Sequence, residues 1–214
     1  TDEDLALLLA HDTDAFSRWD AGQRLAANVL LGLVRGGTEG RHAAAVERRL
    51  VDAFAASLDR SADDPALAAR ALSLPGSSYL GQQLPVIDVE GIRDAIDRVR
   101  DGLAAALREH WLATYRANRA DGPYTIDTAA IGRRSLKNLA LAYPTLARDA
   151  EAQAMARRQF AAADNMTDSL VALRLLVESE AGGCEEALAS FYQRWRDEPL
   201  VVNKWFALQA AVED

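Results

Sequence analysis

The sequence predicts an all-α protein built as a stack of antiparallel helix pairs, and three observations predict it. Alanine occurs 43 times in the 214 residues; it is the best helix former and lets helices approach closely. Only six prolines and 13 glycines interrupt the chain, mostly between segments of about 12 to 20 residues, the lengths of helices joined by short turns. Within those segments apolar residues recur every three or four positions. Nowhere do Val, Ile and Thr alternate with polar residues as a half-buried strand requires.

Asp2, Glu3 and Asp4 lead into Leu5-Ala6-Leu7-Leu8-Leu9, a short acid-started helix that suits the macrodipole. Asp12-Thr13-Asp14 offers N-caps for a second helix to about Val34. Phe16, Trp19, Leu25, Val29 and Leu33 lie near one stripe of it, and Gly36-Gly37 is its stop. A third helix runs from Arg41 to about Leu58, with Val46, Leu50 and Phe54 at helical spacing. Pro65, after Asp63-Asp64, suits a first helical position ahead of Ala66 to Leu72. The span from Leu74 to Pro85 reads as loop. Residues 1–214 thus read as a single helical domain or fragment, with a sub-division offered only near 73–87.

Asp88 caps what the pattern predicts to be the longest helix, Val89 to Asn118. Its stripe of Ile92, Ile96, Val99, Leu103, Leu107, His110 or Trp111, and Tyr115 is unbroken over about 45 Å. His110, beside that stripe, reads as a packed core histidine rather than a metal ligand. Asp121-Gly122-Pro123 is a turn, and Asp127 or Thr128 caps a helix that Tyr143-Pro144 should stop near Ala142. Asp149 to Ala162 is the next helix. Asn165, with Asp168 three residues on, caps another that reaches Val177. Gly182-Gly183 separates it from a helix holding Leu188, Phe191, Tyr192 and Trp195. Pro199 opens the last helix, through Val202, Trp205, Phe206 and Gln209.

A net charge of −8 argues against nucleic acid as a partner, because phosphate binding needs a basic face. The acid is concentrated late, with ten acidic and four basic residues from Asp164 onward against 22 and 20 before it. Solvated helix faces explain that bias; an acidic wall drawing in peptide amines is the functional alternative. The single cysteine, Cys184, excludes an internal disulfide. It reads as a small apolar residue at a helix start, the alternative being a thiol of lowered pKa. The cations are 22 Arg against two Lys, Lys137 and Lys204, which reads as coding bias without a mechanism. No signal peptide and no apolar run of bilayer length is visible, so no membrane association and a cytoplasmic location are expected.

Three segments carry a resemblance to a known family: His11-Asp12-Thr13-Asp14-Ala15-Phe16-Ser17-Arg18-Trp19-Asp20-Ala21-Gly22-Gln23, Ala163-Asp164-Asn165-Met166-Thr167-Asp168, and Val202-Asn203-Lys204-Trp205-Phe206-Ala207-Leu208-Gln209-Ala210. Together, and in order along the whole chain, they resemble the C-terminal helical region of the bacterial aminopeptidase N family. The resemblance implies an irregular α-solenoid of armadillo or HEAT type, here cut before its last helices. It also implies a parent enzyme that removes N-terminal residues from peptides with zinc. The catalytic domain of the same polypeptide and peptides are then the partners, and an uncovered last helix would invite non-native self-association.

The zinc apparatus itself is absent from this stretch. The family's His-Glu-x-x-His sets two imidazoles one helical turn apart, with the Glu as base. His11, His42 and His110 are far apart; Glu109 precedes His110 instead of following it, position 113 is Ala, and the second imidazole is absent. The Gly-Ala-Met-Glu-Asn segment that grips the substrate amine is missing too. No catalytic and no metal residue is therefore assigned, the substrate-binding residues are unknown, and the chain alone is expected to be inactive.

Asp164, Asn165, Met166 and Thr167, with Lys204 and Trp205, are the candidate interdomain or cavity contacts. Asp164 to Asp168 reads first as a helix cap with interdomain packing; coordinating a cation or touching an entering peptide needs the same residue types. Lys204-Trp205-Phe206 reads as core packing within a helix pair, or as an anchor on a neighbouring domain or substrate. The functional expectation is a domain that covers the active-site chamber of an aminopeptidase N and limits peptide access. The alternative is a free-standing helical-repeat scaffold that binds a protein partner along its concave face.

Overall fold

In the structure, a computed structural model, residues 1–36, 41–120 and 122–210 are described, the side chains of 41–46 excepted. Gly37, Asp121 and the residues after Ala210 lie outside these, as do the side chains of His42 and Val46. Twelve helices and no strand are found among the described residues: α1 (Asp2–His11), α2 (Ala15–Val34), α3 (Arg41–Asp59), α4 (Pro65–Ala71), α5 (Ser77–Gly81), α6 (Val89–Ala106), α7 (Arg108–Ala117), α8 (Thr128–Leu146), α9 (Ala150–Ala162), α10 (Met166–Glu178), α11 (Cys184–Trp195) and α12 (Pro199–Ala210). The expected all-α class therefore holds.

Sequential neighbours pack as pairs, α1 on α2, α7 on α8, α8 on α9, α9 on α10 and α11 on α12, while α4 crosses to α8 and α6 to α2. Small residues permit the closest approaches. A Cβ on Gly22 would stand 3.0 Å from the Ala71 carbonyl oxygen and 3.1 Å from Leu9 Cδ1, and one on Gly132 would stand 3.1 Å from the Ala66 nitrogen. The helix starts are where the side-chain chemistry puts them. Asp14, Asp64, Asp88, Asp127, Asp149 and Asn165 each accept a hydrogen bond from the backbone N–H three residues on, and each satisfies a donor that the helix leaves unpaired.

Five sequence expectations are overturned here. The helix expected from Val89 to Asn118 is two, broken at Leu107 (φ −114°, ψ 21°), which ends α6 and begins α7. No Pro or Gly lies at the break. Instead the Trp111 indole Nε1 donates back to the Leu103 carbonyl at 3.1 Å, an oxygen that also receives the Leu107 N–H. The bend lets α6 lie on α2 while α7 reaches α3. Among the described residues the longest helix is therefore α2, at 20 residues.

Conversely, α8 does not stop at Ala142 but runs through Tyr143-Pro144 to Leu146. A proline inside a helix forfeits a bond and clashes with the preceding turn, at about 3 kcal/mol. Packing offsets that cost, since Tyr143 and Pro144 are buried and the Tyr143 hydroxyl donates to the Leu72 carbonyl at 2.7 Å. The span from Leu74 to Pro85 is not all loop, because α5 forms within it and buries Leu80. Phe16 and Trp19 do not join the α2 core stripe. They are 67% and 38% exposed, and the buried face begins at Arg18, whose Nε donates to the Leu9 carbonyl. His110 is no core histidine: its side chain is exposed, 3.7 Å from Asp59, while Trp111 takes the buried position.

The core centres on an aromatic cluster. Trp111 stacks on Tyr143 with ring centroids 4.3 Å apart and 7° between planes, and Phe54 meets both edge-on. By contrast α12 buries no residue fully. It docks on α11 through the Trp205 indole, which donates to the Leu188 carbonyl at 2.9 Å and packs on Tyr192. Leu200 and Phe206 remain exposed.

Candidate functional site

A groove of about 1230 Å³ lies between the end of α7, the linker to α8, and helices α8 and α9 with the turn into α10. Ion pairs tie its two walls together at one end. Arg108 Nε reaches Asp149 Oδ2 at 2.7 Å, Arg108 also reaches Glu151 at 2.9 Å, and Arg116 bonds Glu151 at 2.7 Å. The Arg108 guanidinium holds both the Asp149 and the Glu151 carboxyl below the usual carboxylate range, against a smaller upward push from burial. Asp127 is lowered in the same direction by the Thr125 hydroxyl, which donates to it at 2.7 Å, and by the Ala130 N–H.

At the back of the groove lies a polar network that joins α8, α9 and α10. Lys137 Nζ donates to Asp168 Oδ2 at 2.6 Å, and both side chains are about nine-tenths buried (10% and 9% exposed). Asn138 Nδ2 donates to Asp168 Oδ1 at 2.9 Å, and Asn165 Nδ2 to Oδ2 at 3.1 Å. The Gln159 amide donates to Asn138 Oδ1 at 2.8 Å and to the Asp168 carbonyl at 3.2 Å, while its own Oε1 is buried without a donor. Burial is the largest single influence on the Asp168 carboxyl and pushes it up. The bonds from Lys137, Asn165 and Asn138 and the Lys137 charge together outweigh it, and the net shift is downward.

The sequence candidates fall in two places. Asp164 and Asn165 line the groove, with Asp168. Asn165 caps α10 by accepting the Asp168 N–H at 2.9 Å and donates to Asp164 at 2.9 Å. Met166 is half-buried against the core and Thr167 is exposed. Lys204, exposed, and Trp205, half-buried, sit apart on α12. The late acids Glu178, Glu180, Glu185, Glu186, Asp197 and Glu198 are exposed on or beside α10 to α12. The groove itself is walled by cations. Sequence reasoning missed Lys137, Asn138 and Gln159, which the fold brings to Asp168. One signal was present: a lysine in a chain that otherwise uses arginine almost everywhere. A compact ammonium fits a slot that a planar guanidinium does not.

Among the described residues no three His, Cys, Asp or Glu side chains gather as a metal ion needs. No described helix is long and apolar enough to cross a membrane.

Residues 2–214 match the family model described as a domain of unknown function (DUF3458_C), ARM repeats. Aminopeptidase N of Caulobacter vibrioides is 35% identical over 208 residues, 96% of this chain and 23% of that protein. Aminopeptidase N of Escherichia coli is 34% identical over 211 residues, 98% of this chain and 24% of that protein. The chain thus spans about a quarter of the length of these relatives. A crystal structure of Legionella pneumophila aminopeptidase A in complex with aspartic acid superposes with a TM-score of 0.85 at 22% identity, over all of this chain and 26% of that one; at that identity the likeness is one of fold. The chain belongs to the DUF3458_C family of ARM repeats, and over nearly its whole length it is similar to bacterial aminopeptidase N.

Proposed function

We propose that this chain is the helical region of an aminopeptidase N, packed against the zinc catalytic domain of the same polypeptide. There it covers the active-site chamber and limits which peptides enter. The observation that carries the reading is similarity over nearly the full chain to about a quarter of two aminopeptidases N, in a sequence with no His-Glu-x-x-His of its own. A wall of this kind acts by excluding water and selecting substrate size. We place the polypeptide in the cytoplasm, where the lone Cys184 thiol suits a reducing compartment.

The test has two arms. The isolated chain should show no alanyl-anilide hydrolysis and hold no stoichiometric zinc after dialysis. The longer polypeptide, with this region deleted, should lose its discrimination between dipeptides and long peptides, read as the ratio of kcat/KM values. Turnover that tracks with the isolated chain, or an unchanged ratio after deletion, contradicts the proposal.

We further propose that the exposed face of α12, with Leu200 and Phe206, packs on the remainder of that polypeptide. An uncovered apolar face favours association. The isolated chain should therefore gain mass with concentration in light scattering, and Leu200→Asp/Phe206→Asp should stay monomeric. A wild-type chain that is monomeric at every concentration removes the support for this docking face.

A further inference from the structure

The groove is a basic site on an acidic molecule. Among the described residues, six of its lining side chains are basic and four acidic, in a chain of net charge −8. The acids are already occupied. Glu151 is held by Arg108 and Arg116, Asp168 by Lys137 and Asn138, Asp127 by Thr125 and the Ala130 N–H, and Asp164 by Asn165. Of the cations, Arg116 is bound to Glu151, Lys137 to Asp168, and Arg134 to the Thr125 carbonyl while lying over the Tyr124 ring. Three guanidinium groups remain, Arg119 after α7, Arg133 on α8 and Arg158 on α9. All three are exposed, and none of their guanidinium groups makes a hydrogen bond or ion pair within 4 Å among the described residues, although the Arg133 charge acts on Asp127 and those of Arg119 and Arg158 on Tyr115.

We propose that this groove binds an extended acidic peptide segment, whose carboxylates are received by Arg119, Arg133 and Arg158. Guanidinium presents its donors as a rigid fork that matches a carboxylate in two parallel bonds. Three such forks from three separate elements, facing one concavity, suit several carboxylates along a strand better than one small anion. The volume of about 1230 Å³ exceeds the usual span of a small-molecule pocket, about 300–1,000 Å³, and accommodates a few extended residues at roughly 3.3–3.6 Å each. Tyr115, Met155, Pro123 and Tyr124 supply apolar lining. A nucleic acid is the weaker fit. Its affinity rests on neutralising many phosphates, and the chain as a whole carries a net charge of −8.

The whole 214-residue chain is titrated into a labelled hexaglutamate peptide and followed by anisotropy at low and physiological salt. Hexa-alanine, hexalysine and a single-stranded oligonucleotide serve as comparison probes. Hexaglutamate should bind, more weakly as salt rises, and the triple variant Arg119→Gln/Arg133→Gln/Arg158→Gln should bind it at least tenfold more weakly. Because the three side chains are exposed, the helical circular dichroism should not change. Arg70→Gln, on α4 outside the groove, should bind as wild type does. Equal binding by the triple variant, no binding of hexaglutamate at low salt, or tighter binding of the oligonucleotide overturns the proposal.

Discussion

Trp111→Ala should lower the stability of the chain by about 4–5 kcal/mol, at the upper end for truncation of a buried aromatic. The side chain is completely buried, and three contributions disappear with it. The stacked contact with Tyr143 at 4.3 Å and the edge contact with Phe54 at 6.5 Å are lost, and aromatic pairs contribute about 0.5–1.5 kcal/mol beyond their area. The indole bond to the Leu103 carbonyl is lost at the break between α6 and α7. The cavity cannot close easily, because its walls come from α3, α6 and α8 and each is held by other contacts. For a chain of this size each kcal/mol moves Tm by roughly 2–4 °C, so the midpoint should fall by about 10–15 °C. Trp111→Phe keeps a ring against Tyr143 and gives up the indole bond, and should cost about 1–2 kcal/mol. Urea unfolding monitored by circular dichroism measures both. A loss below about 1.5 kcal/mol for Trp111→Ala would show that the cluster is not the centre of the core.

The starts of the helices were legible in the sequence because a cap is local chemistry: Asp88 meets the Gly91 N–H and Asn165 the Asp168 N–H within one turn. The errors share the opposite origin. Nothing near Leu107 breaks a helix; the break follows from Trp111, α2 and α3, which are remote or act through packing. Pro144 is a correct local stop signal, overridden by the burial of Tyr143 against residues 32 and 71 positions away, Trp111 and Leu72. Phe16 and Trp19 match the helical period as well as Leu25 does. The pattern does not say which arc of the helix α1 and α4 will cover, and the close contact at Gly22 decides that. The site was legible only as far as its cap. Asn165 and Asp168 are three residues apart, whereas Lys137 is 31 residues from Asp168 and no period links them. The basic groove was hidden for a related reason. Composition reports the acid excess of the whole chain, and only the fold collects Arg119, Arg133 and Arg158 from three elements.

Breaking the Lys137–Asp168 pair should have an effect close to that of Trp111→Ala and through different physics. Removing one member of a buried ion pair leaves the other charge unpaired, at about 3–5 kcal/mol. Asp168→Asn keeps the shape and removes the charge. The new amide then turns donors toward Lys137 or toward Asn138, and Asn138 can rotate to accept only by giving up the bond from Gln159. A loss of about 3 kcal/mol is therefore expected for Asp168→Asn. Lys137→Met/Asp168→Asn should recover at least about 1 kcal/mol of it, because the stranded ammonium is gone. The pair also sets an acid dependence. The Asp168 carboxyl titrates below its ordinary range in the folded chain, so its stabilisation is complete above the unfolded value of about 3.9. It is lost as the pH falls through the lower folded value. Between neutral pH and pH 3, urea midpoints of the wild-type chain should fall more steeply than those of Asp168→Asn, the remaining slope coming from the other lowered carboxyls, Asp4, Asp14, Asp127, Asp149 and Glu151. If the single substitutions add to within about 0.5 kcal/mol, or the two acid limbs run parallel, Lys137 and Asp168 do not act as a pair and the network at the back of the groove contributes through its amides alone.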